Sequence, residues 1–233
     1  MGKIKLKTLI VNKKTIIVFF LLIVFVALIC LFSDIVSATS PKTKYTIVID
    51  AGHGGRDGGA VGISTGITES ELNLKYAKKL QEVCQEFGIR TIMTRNDMEG
   101  LYDDFAENKK KSEMENRKNI INSSGADVMV SLHMNSFPLS NCSGAQIFYA
   151  KGSDVGFKLA KSVQQAICKE FKNAREYVTV GDYFVLNYST IPAILIECGF
   201  LSNPEEEKNL QSDEYCQKFC YNILAGLISF FKL

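Results

Sequence analysis

Short apolar runs alternate with helical patterns along most of this chain, and that alternation restricts its fold more than any other feature. Lys44–Asp50 (KYTIVID) reads as a strand. Glu69–Phe87 follows with Leu72, Tyr76, Leu80, Val83 and Phe87 on one helical face, and Gly88 stops it. Next come a strand at Ile89–Thr94, a polar loop or flap at Asn96–Lys111 and a helix at Ser112–Ser123. Strands at Asp127–Leu132 and Gly144–Ala150 precede a helix at Asp154–Phe171. Strands at Tyr183–Asn187 and Pro192–Glu197 lead to a helix at Asp213–Phe231, with Tyr215, Phe219, Ile223, Leu227 and Phe231 inward. Repeated β and α units predict an α/β fold with a mostly parallel sheet covered by helices on both faces.

The N-terminus follows a different rule. Lys3, Lys5, Lys7, Lys13 and Lys14 precede an uncharged run of 18 residues, Thr15–Phe32. As a helix that run spans about 27 Å, near the thickness of a bilayer core. Val36-Ser37-Ala38 supplies residues of the kind a signal peptidase reads. Residues 1–38 therefore read as a secretory signal peptide or an uncleaved membrane anchor, with the basic flank cytoplasmic. The bulky Ile29 before Cys30 argues against a lipid-modified cysteine. Residues 39–233 suit one domain with a large core and carry no internal repeat or Pro/Ser linker. The expected location is extracytoplasmic, either secreted or membrane-anchored.

Charge supports this division. The whole chain has 27 Lys+Arg against 25 Asp+Glu. Without residues 1–38, 22 basic and 24 acidic residues remain, so the basic surplus belongs to the leader. The domain shows no polybasic signature, and no nucleic-acid partner is expected. Six cysteines remain, none in C-x-x-C, which leaves thiol zinc knuckles and thioredoxin-like chemistry without support. Cys84, Cys168, Cys216 and Cys220 fall on apolar helical stripes and read as buried free thiols.

The chain has only two histidines, so a cage of several histidines is excluded. His53 lies in Asp50-Ala51-Gly52-His53-Gly54-Gly55, directly after the first strand, and His133 directly after Asp127–Leu132. Glu197 ends the strand at Pro192–Glu197. In open α/β sheets, ligands bind at the carboxyl ends of the strands, so parallel strands bring these three to one edge. A lone histidine after a strand is more often structural; two, the only two, at such ends point to a site. Thr68-Glu69-Ser70-Glu71 reads as a capping box in which Thr68 is the N-cap and Glu71 reaches back. That leaves the Glu69 carboxylate free at a helix N-terminus, although spacing alone does not decide between Glu69 and Glu71. Two histidines and one carboxylate leave an open fourth position on a tetrahedral zinc, as in catalytic sites. Glu197, enclosed by apolar neighbours, fits a general base with a raised pKa. Lys109-Lys110-Lys111 reads as a solvated run.

These segments resemble the zinc-dependent N-acetylmuramoyl-L-alanine amidases of amidase family 3. The resemblance lies in residues 47–62 (IVIDAGHGGRDGGAVG), 66–72 (GITESEL), Arg117–Asn122, 126–136 (ADVMVSLHMNS) and 192–206 (PAILIECGFLSNPEE), in order across the exported domain. Residues 109–124 and 143–150 are similar to the germination-specific, spore-cortex type. Ala51 stands where the family usually has Pro, and Ser70 where it has a basic residue. The resemblance implies a single α/β domain with a mixed, roughly six-stranded sheet. It implies zinc held by His53, Glu69 and His133, with Glu197 catalytic, and peptidoglycan as substrate. Asp50 and Asn135 are candidates for supporting the ligands or orienting substrate. With no wall-binding repeat to read, an N-terminal anchor or an accessory exported protein is expected to localise or restrain such an enzyme. Two other functions compete: a zinc carboxypeptidase or peptidase of similar fold acting on stem peptides, and a non-catalytic wall-binding module. A base beside a full ligand set argues against the second.

Overall fold

The computed structural model describes residues 12–38 and 45–232, with side chains absent from the description at 15 and 28–38. The chain divides into two compact units, 1–41 and 42–233. The described part of the first unit is one helix, α1 (Lys13–Ala38), with the apolar side chains of Ile16–Val26 exposed. Among the described residues no helix is long and apolar enough to cross a membrane. The side chains of Leu28–Ala38 lie outside the described residues. The expectations about Cys30, Val36-Ser37-Ala38 and the second half of the apolar run fall there.

The second unit is built on a six-stranded sheet: β1 (Thr46–Ala51), β2 (Arg90–Met93), β3 (Val128–Asn135), β4 (Gln146–Tyr149), β5 (Thr179–Val180) and β6 (Ala193–Phe200). The strand order is β2-β1-β3-β6-β4-β5. Strands β2, β1, β3 and β6 are mutually parallel, β4 runs antiparallel to β6, and β5 is parallel to β4. This is the mixed, mostly parallel sheet that the resemblance implied.

Strand alternation sorts residues between the two faces. Ile47, Ile49, Val128, Val130, Leu132, Ile194 and Ile196 join the large core, covered by α2 (Glu69–Glu86), α4 (Asp154–Glu170) and α7 (Asp213–Phe231). Val48, Met129 and Leu195 point the other way, into a smaller core with Ile121 of α3 (Lys109–Ser123) and Val185 and Leu186 of α5 (Phe184–Asn187). Burying a Val or Leu side chain stabilises by about 1.5–3 kcal/mol, so both faces are firmly specified. The next residue of this second set on each strand is polar: Asp50 on β1, Ser131 and His133 on β3, Glu197 on β6. The smaller core therefore forms the floor beneath a polar cluster at the carboxyl edge.

Several local expectations need correction. Tyr183–Asn187 is not a strand: Tyr183 is the N-cap of the short helix α5, and the edge strand is Thr179–Val180. Helix α3 starts at Lys109 rather than Ser112, because the Asn108 side chain accepts a hydrogen bond from Lys111 N at 2.9 Å and caps it. An unforeseen helix, α6 (Pro204–Gln211), is capped by Asn203 with Pro204 in its first turn. Phe87, expected inside, is exposed at the end of α2. Cys84, Cys198, Cys216 and Cys220 are buried and Cys142 and Cys168 half-buried, all six as free thiols.

Candidate metal centre

Strand β1 ends at Ala51, and the chain then turns through His53, which has a left-handed backbone (φ 61°). Helix α2 begins at Glu69 with the capping box formed in full: Glu71 N donates to Thr68 Oγ1 at 3.4 Å, and Thr68 N donates to Glu71 Oε2 at 3.0 Å. Glu71 is thus occupied at the cap, and Glu69 is the carboxylate that meets the histidines. Its Oε1 lies 3.1 Å from His53 Nε2 and 2.8 Å from His133 Nδ1. The ligand atoms of His53, Glu69 and His133 all lie within 4.8 Å of one another, and these three form the one group among the described residues with metal-holding geometry.

The surroundings hold these groups in place. Oε2 of Glu69 accepts from Ala60 N at 2.8 Å, and Oε1 accepts from Met134 N at 3.2 Å and from Asn73 Nδ2 at 3.3 Å. Burial alone would raise the Glu69 carboxyl, but hydrogen bonds and charge from His133 and His53 hold it well below the usual carboxylate range. Burial would likewise lower His53; Glu69 and then Asp57 outweigh it and raise its pKa. Asp57 Oδ2 is 2.9 Å from His53 Nδ1 and also pairs with Lys110. Burial tends to raise Asp57, yet Lys110 and His53 bring it down to about 2. The second ring nitrogen of His53 thus faces a carboxylate, as is usual for a metal-ligating histidine.

The donor set fits a small divalent cation that takes imidazole nitrogen and carboxylate oxygen. Steric room points the same way. A Cβ on Gly52 would lie 2.2 Å from Cε1 of His133, and one on Gly59 would lie 2.4 Å from Oε2 of Glu69. Both candidate ligand side chains occupy space that only glycine leaves open.

Glu197 pairs in register with His133 across β3 and β6. It is 8% exposed, and its Oε2 has no hydrogen-bond partner. Burial pushes its carboxyl up to about 7, with His133 pulling down and Glu69 pushing up. A carboxyl poised there exchanges protons readily near neutral pH. Asp50 lies on the same face and accepts from Thr94 Oγ1 at 2.7 Å and Ser131 Oγ at 2.6 Å; it also pairs with Arg117. Asn135, two residues after His133 on β3, accepts through Oδ1 from Ser136 N at 2.8 Å.

A cavity of about 110 Å³ opens onto the centre, lined by Asp50, Gly52, His53 and His133 on one side and by α3 and α5 residues on the other. Lys110, Met114, Tyr183 and Phe184 belong to that second wall. Lys110 is therefore more than part of a solvated run. Burial and the nearby carboxylates of Glu197 and Glu69 push the Tyr183 hydroxyl up to about 12. Sequence reasoning also missed Asn73, although its place one turn after Glu69 was a usable signal. Nothing in the sequence marked Asp57 or Arg95.

Comparison with known proteins gives a consistent result. A family model described as N-acetylmuramoyl-L-alanine amidase matches residues 47–229. The germination-specific N-acetylmuramoyl-L-alanine amidase of Bacillus subtilis (strain 168) is 33% identical over 195 residues, covering 82% of this chain and 81% of that protein. The CwlD amidase from Clostridioides difficile, solved in complex with the GerS lipoprotein, superposes with a TM-score of 0.78. It is 35% identical, over 81% of this chain and 99% of that one. An N-acetylmuramoyl-L-alanine amidase from Clostridium difficile 630 gives 0.72 at 32% identity, over 81% and 97%.

Proposed function

The chain belongs to the N-acetylmuramoyl-L-alanine amidase family, and from that premise we propose that it is a zinc enzyme that removes stem peptides from spore-cortex peptidoglycan. The bond cleaved is the amide between the lactyl group of N-acetylmuramic acid and L-alanine. The observation that carries the reading is the convergence of His53, Glu69 and His133 beside the unpartnered, buried carboxylate of Glu197.

His53, Glu69 and His133 would hold the zinc. Zinc bound there supplies a Lewis acid that polarises a carbonyl and makes a water more acidic. Glu197 takes the proton of the attacking water and returns it to the departing nitrogen of L-alanine. The Asp57 carboxylate, 2.9 Å from His53 Nδ1 and paired with Lys110, favours a proton on Nδ1 and so would leave Nε2 for the metal. Met114, Tyr183 and Phe184 form the opposite wall of the cavity, against which substrate would lie. The products are an intact glycan strand and a free stem peptide.

The germination-specific function of the Bacillus subtilis relative supports cortex as the substrate. The complex of the Clostridioides difficile relative with a lipoprotein supports an accessory exported partner. Residues 1–38 would export or anchor the enzyme, and residues 39–233 would act outside the cytoplasm. The test is incubation of the protein with purified cortex peptidoglycan, with and without zinc, followed by mass analysis of the muropeptides. Zinc-dependent release of complete stem peptides is expected. Shortened stems still attached to the glycan would identify a peptidase, and no change with zinc bound would identify a wall-binding module.

A further inference from the structure

We infer that Arg117 is a positioning residue: with Arg95 and Asn73 it clamps the backbone of residues 51–53, so that His53 presents its imidazole to the metal centre. The inference rests on the metal reading proposed above and goes further, because it assigns the residues that impose the ligand's geometry.

His53 is one of only two described non-glycine residues with positive φ, and the other, Lys232, caps the end of α7. A left-handed backbone carries a steric penalty for a residue with a Cβ, so surrounding contacts must enforce it. Those contacts fall on three consecutive carbonyls. Ala51 O accepts from Arg95 Nε at 3.0 Å and from Arg117 Nη1 at 2.8 Å. Gly52 O accepts from Arg95 Nη2 at 3.0 Å and from Asn73 Nδ2 at 3.1 Å. His53 O accepts from Arg117 Nη2 at 2.9 Å.

Each clamp is itself anchored. Arg117 pairs with Asp50 and, at 2.8 Å, with Glu113. Arg95 also donates to Ser70 O at 2.8 Å, beside Glu69 in the first turn of α2. Asn73 bridges Gly52 O to the Glu69 carboxylate. The turn that carries one ligand is thereby tied to the helix that carries another. Both guanidiniums are buried, Arg117 at 1% exposure and Arg95 at 3%. Burying a permanent charge is costly, and an apolar side chain would fill the same space. What an arginine adds is a planar fork that fixes acceptors at set spacing. Arg117 uses separate nitrogens for Ala51 O and His53 O, which one ammonium group could not span.

The test compares zinc dissociation constants, by chelator competition, for the full chain and its variants, with circular dichroism and thermal unfolding in parallel. Arg117→Lys keeps the charge beside Asp50 but loses the fork. It is expected to weaken zinc binding about 10- to 100-fold, the range seen when groups behind metal ligands are removed. Glu113→Gln keeps the arginine but loosens its anchor, and weakens zinc binding in the same direction by less. Gln164→Ala, in α4 against the opposite sheet face, lowers the unfolding temperature without moving the zinc constant. Folded Arg117→Lys with the parent's zinc constant overturns the inference alone. If that variant fails to fold, an unchanged zinc constant in Glu113→Gln overturns it. Failure of the parent chain itself to bind zinc rejects the metal reading, and this inference with it.

Discussion

Two carboxylates on one sheet face are driven apart by their neighbours. Glu197 has no donor to its Oε2 and is pushed up to about 7 by burial. Asp50 is equally enclosed, but the Arg117 guanidinium and the Ser131 and Thr94 hydroxyls outweigh burial and leave it below its ordinary 3.8. Environment thus separates their proton affinities, Glu197 above and Asp50 below its ordinary value, the split that suits one to carry a proton and the other to stay an anion. Glu197→Gln keeps the shape and removes the base. Amide hydrolysis should fall about 10²- to 10⁴-fold while zinc content by mass spectrometry stays unchanged; hydrolysis at the parent rate would reject the base assignment. Asp50 makes a stability prediction. A carboxyl depressed on folding adds stability above its unfolded value, and that stability is lost as pH falls below about 3.9 toward the folded value. Asp50→Asn also removes one of the two carboxylates paired with the buried Arg117 guanidinium, leaving Glu113, so the cost should fall below the about 3–5 kcal/mol of a fully broken buried pair. The gap in unfolding temperature between parent and Asp50→Asn should therefore be wide at pH 5–7 and narrow below pH 4. A gap constant across that series would show that Asp50 does not titrate as argued.

At the scale of elements, legibility followed periodicity. The apolar strands were visible because alternation and β-branched residues mark them, and the capping box at Thr68 and Glu71 was visible because its two hydrogen bonds have a fixed spacing. Tyr183–Asn187 misled because the short apolar run Phe184-Val185-Leu186 carries too little pattern to separate a strand from a helical turn. Thr179–Val180 is too short for any pattern. Helix α3 starts early because Asn108 caps it, a signal hidden by the lack of apolar period in Lys109–Lys111. At the site, strand ends could be read from one-dimensional order. Contacts between distant elements could not: Asp57 meets Lys110, and Arg95 meets Ser70, only after α2 and α3 pack onto the sheet edge. The end of β1 yields a sharp test of that packing. Gly52 sits under the His133 ring, with Nε2 2.3 Å from where a Cβ would be. Gly52→Ala adds one methyl group, and overpacking of this kind costs about 1–3 kcal/mol. The ring should be displaced, so that zinc is lost by equilibrium dialysis from a variant whose far-UV circular dichroism is retained. Zinc retained at parent stoichiometry would mean that the two elements are not in this register.

For the whole molecule, the question is what holds a complete site near its substrate. The core and all the candidate site residues lie within the unit spanning 42–233, so residues 39–233 should fold and bind zinc without residues 1–38. Electrostatics would give this part little hold on an anionic polymer, because five lysines within residues 1–38 carry the chain's basic surplus and the remainder has a net charge of −2. Attraction of a near-neutral domain to an anionic polymer is weak and further screened by salt. A membrane-tethered or wall-tethered partner would replace diffusion from bulk with a high local concentration. The purified 39–233 fragment is therefore expected to match the full chain in zinc stoichiometry and unfolding temperature. On intact peptidoglycan it should release stem peptides slowly, and adding the accessory exported protein proposed above should accelerate release. The gain should be smaller on short soluble muropeptides, where targeting contributes nothing. Equal acceleration on both substrates would mean that the partner completes the site rather than localises it. Full activity of the fragment alone on intact sacculi would show that no partner is needed.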